Sequence, residues 1–294
     1  MPRRNWYRAG AFVCLTALSA CVHSRRAAAP KIAPPARQAS ADELSGQIAR
    51  QYQAVSDFKA TVLLSATLGQ LNGGPIKRYP AIRGYLLFRK PTDLRLIGLQ
   101  PPFGNRVVDL VSNGRQFRLS LPSRKRFVIG QDDVKALSSN QLENIRPLHL
   151  RQAILPQPVD PATETATLEE PGQGAGYTLL LMRNSPRQDR RPARTLWIDG
   201  AKSHVARELI FDDAGKILTD ARYSQWLEDD GVIFPRHIEI DRPREAYRLV
   251  IQIQKIEINH GLSSEMFVLE QPPGTQLEVL SDPGAPPQLD SAPR

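Results

Sequence analysis

From residue 57 to residue 258 the chain keeps placing large apolar side chains on alternate positions with arginine or another polar residue between them. This period of two constrains the fold more than any other feature. Val62, Leu64, Ala66 and Leu68 begin it, and Ile82, Leu86 and Phe88 continue it between Arg83, Tyr85 and Arg89. Leu94 and Leu96 flank Arg95; Phe117, Leu119 and Leu121 flank Arg118; Phe127 and Ile129 follow Arg126. A strand with one apolar and one wet face belongs to an antiparallel sheet that covers its core on one side only. The pattern resumes at residues 177–182, 195–199, 205–211, 217–227, 232–240 and 247–258. Asp199-Gly200, Asp213-Ala214-Gly215 and Asp229-Asp230-Gly231 supply turns between those runs. Near the end, the apolar phase Leu249, Ile251, Ile253 jumps to Ile256, Ile258, which predicts a bulge and a strongly curved sheet.

Two helical patches interrupt the strands. Ser40 is a suitable N-cap, Glu43 stands where a capping box needs it, and Leu44, Ile48, Tyr52 and Val55 form one stripe. A second patch is expected over residues 134–155, with Leu142, Ile145 and Leu148 as its stripe and Pro147 limiting its regularity. No internal repeat and no βαβ rhythm is visible. The expected class is α+β: one domain of about eleven antiparallel strands, strongly curved into an unclosed barrel, with helices on the concave face.

The flanks differ in kind. Arg3, Arg4 and Arg8 precede an apolar run from Ala9 to Ala20 that ends Leu18-Ser19-Ala20-Cys21. The run is too short to span a bilayer, which takes about 20 residues, and reads as a cleaved signal. It resembles the lipobox of bacterial lipoproteins, where the cysteine is acylated and becomes the first mature residue; an ordinary secretory signal with an incidental cysteine is the bland reading. Residues 1–20 are thus expected to leave as a signal. Residues 21–40, Ala-, Pro- and Arg-rich after the acylated Cys21, read as a tether. Residues 41–271 read as the folded domain, and 272–294 as a loose Pro-rich tail. Without the signal, 36 basic residues face 30 acidic ones. That mild excess suits anionic lipid or acidic partners and falls short of a nucleic-acid footprint. Cys14 leaves with the signal and Cys21 carries the anchor, so the domain has neither a disulfide nor a thiolate metal site.

Catalytic constellations are missing from the sequence. His149, His204, His237 and His260 have no ligand spacing and read as surface or strand-edge residues. No G-x-S-x-G elbow, H-E-x-x-H helix or Walker loop occurs. Gly172-Gln-Gly-Ala-Gly176 lacks the spacing of a phosphate loop, and Glu228-Asp229-Asp230 fits a hairpin tip better than a metal site. The expectation is a non-enzyme without cofactor or metal.

Two segments resemble a known family. Residues 84–104 (GYLLFRKPTDLRLIGLQPPFG), followed by Arg106-Val-Val-Asp-Leu-Val and Gln116-Phe-Arg-Leu-Ser, are similar to the LolB side of the LolA/LolB lipoprotein-localisation superfamily. Residues 233–240 (IFPRHIEI) and 247–253 (YRLVIQI) resemble that family's closing strand and final hairpin. The resemblance implies an unclosed β-barrel with helices as a lid over an apolar cavity that takes acyl chains. Membership of the LolB kind further implies an anchored lipoprotein that delivers cargo to the outer membrane. The insert around residues 156–176, the basic loop 183–194 and the C-terminal tail depart from the family pattern. Glycolipid carriers and periplasmic stress sensors share the architecture, so fold alone does not fix function.

Under that resemblance Leu86, Phe88, Leu94, Leu96, Phe117, Leu119 and Phe127 would line the acyl cavity; the bland reading of each is simple core. Each buried methylene is worth about 0.8 kcal/mol, enough for transfer without ATP. The loop Leu99-Gln-Pro-Pro-Phe103-Gly104 is apolar where a turn should be polar. At the matching place LolB-like proteins project an apolar side chain that promotes membrane insertion, which would give Leu99 and Phe103 that role. The alternative is that Phe103 folds back onto the core. Val22 after Cys21, in place of an aspartate, favours outer-membrane delivery. Expected partners are acyl chains of lipoproteins or lipids, the membrane surface and a periplasmic carrier protein, with no nucleic acid. A second class of function is an envelope lipoprotein that binds a protein through the same fold; a hydrolase is the third.

Overall fold

The computed structural model describes residues 39–69, 76–138, 141–169, 176–184, 191–229 and 231–283. The lipobox, Cys21, most of the tether and the Gly-rich run 172–175 lie outside them. Helix α1 (Ala41–Gln53) starts as the sequence dictates. The Glu43 amide donates to Ser40 Oγ (3.1 Å) and the Ser40 amide to Glu43 Oε2 (3.0 Å), a complete capping box.

A meander follows: β1 (Asp57–Leu68), β2 (Lys77–Arg89), β3 (Asp93–Gln100), β4 (Asn105–Ser112), β5 (Gln116–Leu121) and β6 (Arg126–Gln131). After a short 3-10 turn (Gln141–Asn144) comes α2 (Pro147–Ile154), then a second meander. It comprises β7 (Glu164–Glu169), β8 (Gly176–Arg183), β9 (Pro192–Asp199), β10 (Val205–Phe211), β11 (Ile217–Asp229), β12 (Val232–Arg242) and β13 (Tyr247–Ile258), and β14 (Gln276–Leu280) ends the described chain. All fourteen form one sheet in the order β14-β6-β5-β4-β3-β2-β1-β13-β12-β11-β10-β9-β8-β7. Pairing of β1 with β13 joins the two meanders, and among the described strands only β14, on β6, is parallel.

The sheet is unclosed and curled. Helix α2 touches β4 as well as β11 and β12, which stand six and five places from β4 in the order, so the sheet must wrap around it. A bulge sits where the apolar phase jumps: Thr61 faces Lys255 and Val62 faces Ile253, leaving Gln254 as the extra residue. The inward positions of β1 to β5 and β8 to β13 join Leu44 and Ile48 of α1 and Leu150 and Ile154 of α2 in one continuous core.

Three expectations need correction. Among the described residues the strands number fourteen rather than about eleven: β4 lies behind the proline loop, β7 inside the supposed insert, and β14 inside the supposed loose tail. The second helix is one short element, because Pro147 lacks the N–H that a helix interior requires and serves instead at its first turn. Its buried stripe is His149, Leu150, Ala153 and Ile154, displaced from the expected Leu142, Ile145, Leu148.

Between β13 and β14 the chain crosses the convex face as a strap. Asn259 Oδ1 accepts the Ser56 amide (2.7 Å) and its Nδ2 donates to the Ala54 carbonyl (2.7 Å). Three outward arginines on β2, β3 and β5 then hold the strap's carbonyls. Arg89 donates to Leu262 O (2.7 Å), Arg95 to Met266 O (2.8 Å) and Arg118 to Leu269 O (3.2 Å). Arg126 on β6 pairs with Glu278 of β14.

Candidate functional site

Six of the seven residues expected to line a cavity lie together on the concave face. Phe88 faces Leu94 and Leu86 faces Leu96 across β2 and β3, Leu96 continues to Leu110, and Leu110 to Leu119. Phe117 joins the same core, and Phe58 connects Phe88 to the far meander through Phe234, with ring centroids 5.6 and 5.0 Å apart. Phe127 does not belong. It points to the convex face and packs with Val111 and Leu269 under the strap, while Val128 is the inward residue of β6. Apolar residues occupy both phases of this strand, so alternation alone could not choose its face.

The concave side is filled with side chains and closed by α2, and buried polar groups hold the closing segment down. Arg242 of β12 donates to His149 Nε2 on α2 (2.8 Å), grips Glu245 at 2.9 and 3.0 Å and reaches Thr219 Oγ1 at 2.6 Å. His149 Nδ1 lies 3.1 Å from the Tyr247 hydroxyl. Burial, reinforced by the Arg242, Arg146 and Arg244 charges, keeps the imidazole well below its ordinary pKa and hence neutral. Arg146, just before α2, is 2% exposed; its Nη2 donates to Ala136 O (3.0 Å), and burial lowers its pKa to about 10.

A second latch holds the segment after α2. Arg194 of β9 donates to the carbonyls of Gln157 (2.9 Å) and Pro158 (3.1 Å) and to the carboxylates of Glu164 (2.9 Å) and Glu208 (3.1 Å). Burial pushes the Glu208 carboxyl up although Arg194 opposes it. Burial alone would lower Arg194, but its carboxylate partners more than offset that and hold it above its ordinary value. Arg151 of α2 completes the set on Asp132 (2.9 Å), which also accepts from Ser112 Oγ.

None of these latches was singled out in the sequence, and His149 is buried rather than superficial. The signal was present for Arg242, a charged residue on the inward phase of Ile238 and Ile240, whereas Glu208 turns inward through a register shift in β10 that follows Val205. Beside α2 lies a cavity of about 370 Å³ lined by Gly114, Arg115, Gln131, Asp132, Asp133, Leu148 and Arg151. Its lining is charged and suits polar solutes better than acyl chains.

The proline loop stands apart from this interior. It joins β3 to β4; the Gly104 amide closes it onto Gln100 O (2.9 Å), and Gly104 has φ +71°, a conformation glycine adopts without strain. Leu99 is half-buried, whereas Phe103 at the tip is 85% exposed. Of the basic loop 183–194, Arg183 pairs with Asp213 and Arg194 forms the latch above; Arg187 and Arg190 lie outside the described residues.

No protein-family model matches the chain, and no curated protein does. Among solved structures it is similar to a DUF1329 family protein from Desulfovibrio piger, with 17% identity and a TM-score of 0.50, over 80% of this chain and 98% of that one. A LolA superfamily protein of Nitrosomonas europaea (11% identity, TM-score 0.49, 76% and 97% covered) also matches. So does a putative outer membrane lipoprotein-sorting protein domain from Vibrio parahaemolyticus (10%, 0.48, 78% and 95%). The unclosed curled sheet closed by a helix on its concave face is the architecture that the two sequence segments implied. The chain shares its fold with the DUF1329 family protein. Likeness at these identities speaks for fold alone, so what the domain does has to be argued from its own residues. In that frame the half-barrel interior lies beneath α2, and the Phe103 loop stands at one rim.

Among the described residues no group of His, Cys, Asp or Glu is arranged to hold a metal ion, and no helix is long and apolar enough to cross a membrane.

Proposed function

We propose that this chain is an envelope lipoprotein, anchored through Cys21 in the outer membrane, that takes acyl chains of lipoproteins or lipids beneath α2 and passes them to the membrane. The observation that carries the reading is Phe103. A large aromatic side chain 85% exposed on a two-proline hairpin has no folding role, yet it suits a tip that enters a lipid interface. The aliphatic inner face supports the same reading, since Leu86, Leu94, Leu96 and Leu119 can accommodate a chain without polar contacts. Acyl entry requires α2 to lift, which breaks the polar latches on His149, Asp132 and Gln157. The role needs no catalytic step; a periplasmic carrier protein would supply the cargo.

A second reading has its own observation. The concave side is filled by side chains in this conformation, as suits a domain that binds a protein on its surface and keeps its interior closed. Native mass spectrometry of the protein purified from membranes separates the two. A carrier is expected to retain acyl species beyond its own anchor and to take up a fluorescent fatty acid; an empty protein that takes up none would exclude acyl carriage.

A further inference from the structure

The antiparallel register sorts the charged turns onto two rims. Leu68 faces Lys77 and Tyr247, Gln100 faces Asn105, and Leu121 faces Arg126, so the starts of β2, β4, β6 and β13 share the rim that bears Phe103. On this arc Lys77, Arg78, Arg106, Arg124, Lys125 and Arg244 are all exposed. Among the described residues, Arg78, Arg124, Lys125 and Arg244 form no ion pair with an acid, and Arg106 reaches Asp109 at 3.0 Å with more than half its side chain still in water. Glu245 on the same turn is buried against Arg242, which leaves Glu270 as the exposed acid of the arc. Ile76, 48% exposed, adds a second apolar side chain next to Lys77.

The rest of the molecule does not share this bias. On the far arc of the same rim, among the described residues, Asp160, Asp212 and Asp213 balance Arg183, Arg191 and Lys216, and Arg183 pairs with Asp213. On the opposite rim Asp132, Asp133, Asp199, Glu228 and Asp229 outnumber Lys90, Arg115 and Lys202. The positive field is therefore concentrated around the apolar tip.

We infer that this arc is a docking surface for anionic lipid headgroups, which orients the domain end-on so that Phe103 enters the interface. The inference rests on the proposed insertion role of Phe103 and names the surface that role would act on. A lipid bilayer fits better than an acidic protein because cations surrounding a projecting aromatic match a charged headgroup layer over an apolar interior. Each basic side chain near an anionic surface strengthens binding about fivefold, and the effect decays within a Debye length, so added salt must weaken it.

The test uses the full chain carrying Cys21→Ala, so that no acyl group on that residue contributes, sedimented with phosphatidylcholine vesicles with and without phosphatidylglycerol. Phosphatidylglycerol should strengthen binding, and raised salt should reverse the gain. Arg78→Gln, Arg124→Gln and Arg244→Gln together should weaken binding to the anionic vesicles by about a hundredfold, with an unchanged melting temperature. Phe103→Glu, measured alongside, should weaken binding to both vesicle types. If the triple variant binds anionic vesicles like the parent, the docking surface is refuted, whatever Phe103→Glu does. If Phe103→Glu binds like the parent while the triple variant fails, the insertion loop is refuted and the basic arc stands. A parent that ignores phosphatidylglycerol but is retained on polyglutamate would assign the arc to acidic protein and overturn the inference.

Discussion

The two faces of the sheet use the same residue for opposite physical ends. On the concave face Arg194 and Arg242 are buried, each gripping carboxylates and a segment of the lid. On the convex face Arg89, Arg95 and Arg118 hold the strap by its carbonyls; Arg95 is also paired with the buried Asp109, whereas Arg89 keeps over a quarter of its side chain in water. A buried guanidinium is costly to strand, because its partners cannot turn to solvent. A partly exposed one exchanges a carbonyl for water at small net cost. The inner latches should therefore dominate stability, and the outer ladder should tune local order.

Arg242→Met is the sharpest way to break that contrast. It leaves Glu245 charged and His149 without its donor inside the core, and should cost about 3–5 kcal/mol in denaturant unfolding. Adding Glu245→Leu should recover most of the loss, because the stranded charge goes with it. A single variant that loses no more than an exposed residue would mean that the cluster is hydrated.

The same cluster predicts a pH dependence of intermediate size. The folded-state pKa of His149 lies well below the ordinary 6.5, with Arg242, Arg146 and Arg244 opposing its protonation and Tyr247 beside it. The unfolded chain therefore binds the proton first. Stability is fully present above pH 6.5 and declines below it, with a slope of at most about 1.4 kcal/mol per pH unit from this one group. Denaturation midpoints measured across that range should lose this slope in His149→Gln. A slope unchanged by the substitution would assign the acid sensitivity elsewhere.

How far these faces could be read in advance depended on what each strand had to say. Where apolar and polar residues strictly alternate, as at Phe88-Arg89 and Leu94-Arg95-Leu96, the inward face was legible, and the phase jump before Ile256 located the bulge. In β6 the run Phe127-Val128-Ile129 is apolar on both phases, because the strap covers its outer face, and the reading chose the wrong side. The strap and β14 escaped because prolines around residue 272 suggested a loose tail, while their partners are arginines more than a hundred residues away in sequence. The latches escaped for a related reason: a lone Arg242 on an inward phase, or a Glu208 turned inward by a register shift, gains its meaning from a partner that only folding supplies. The exposure of Phe103 was legible as a choice between two conformations, and the geometry of the hairpin selects the projecting one.

The smallest effect belongs to the outer ladder, and it separates local order from global stability. Arg118 contributes one 3.2 Å hydrogen bond to Leu269 O from a half-buried position. Arg118→Leu should cost no more than about 0.5–1.5 kcal/mol globally, because the freed carbonyl can reach water. The strap should respond more than the domain does: Leu269 packs on Phe127, and loosening that end uncouples the chain leading into β14. Hydrogen exchange should therefore accelerate across residues 262–280 while the amides of β1 and β13, at the centre of the sheet, keep their protection. Equal acceleration in both places would mean that the strap is part of the cooperative core, and that the two faces differ in exposure but not in energetic role.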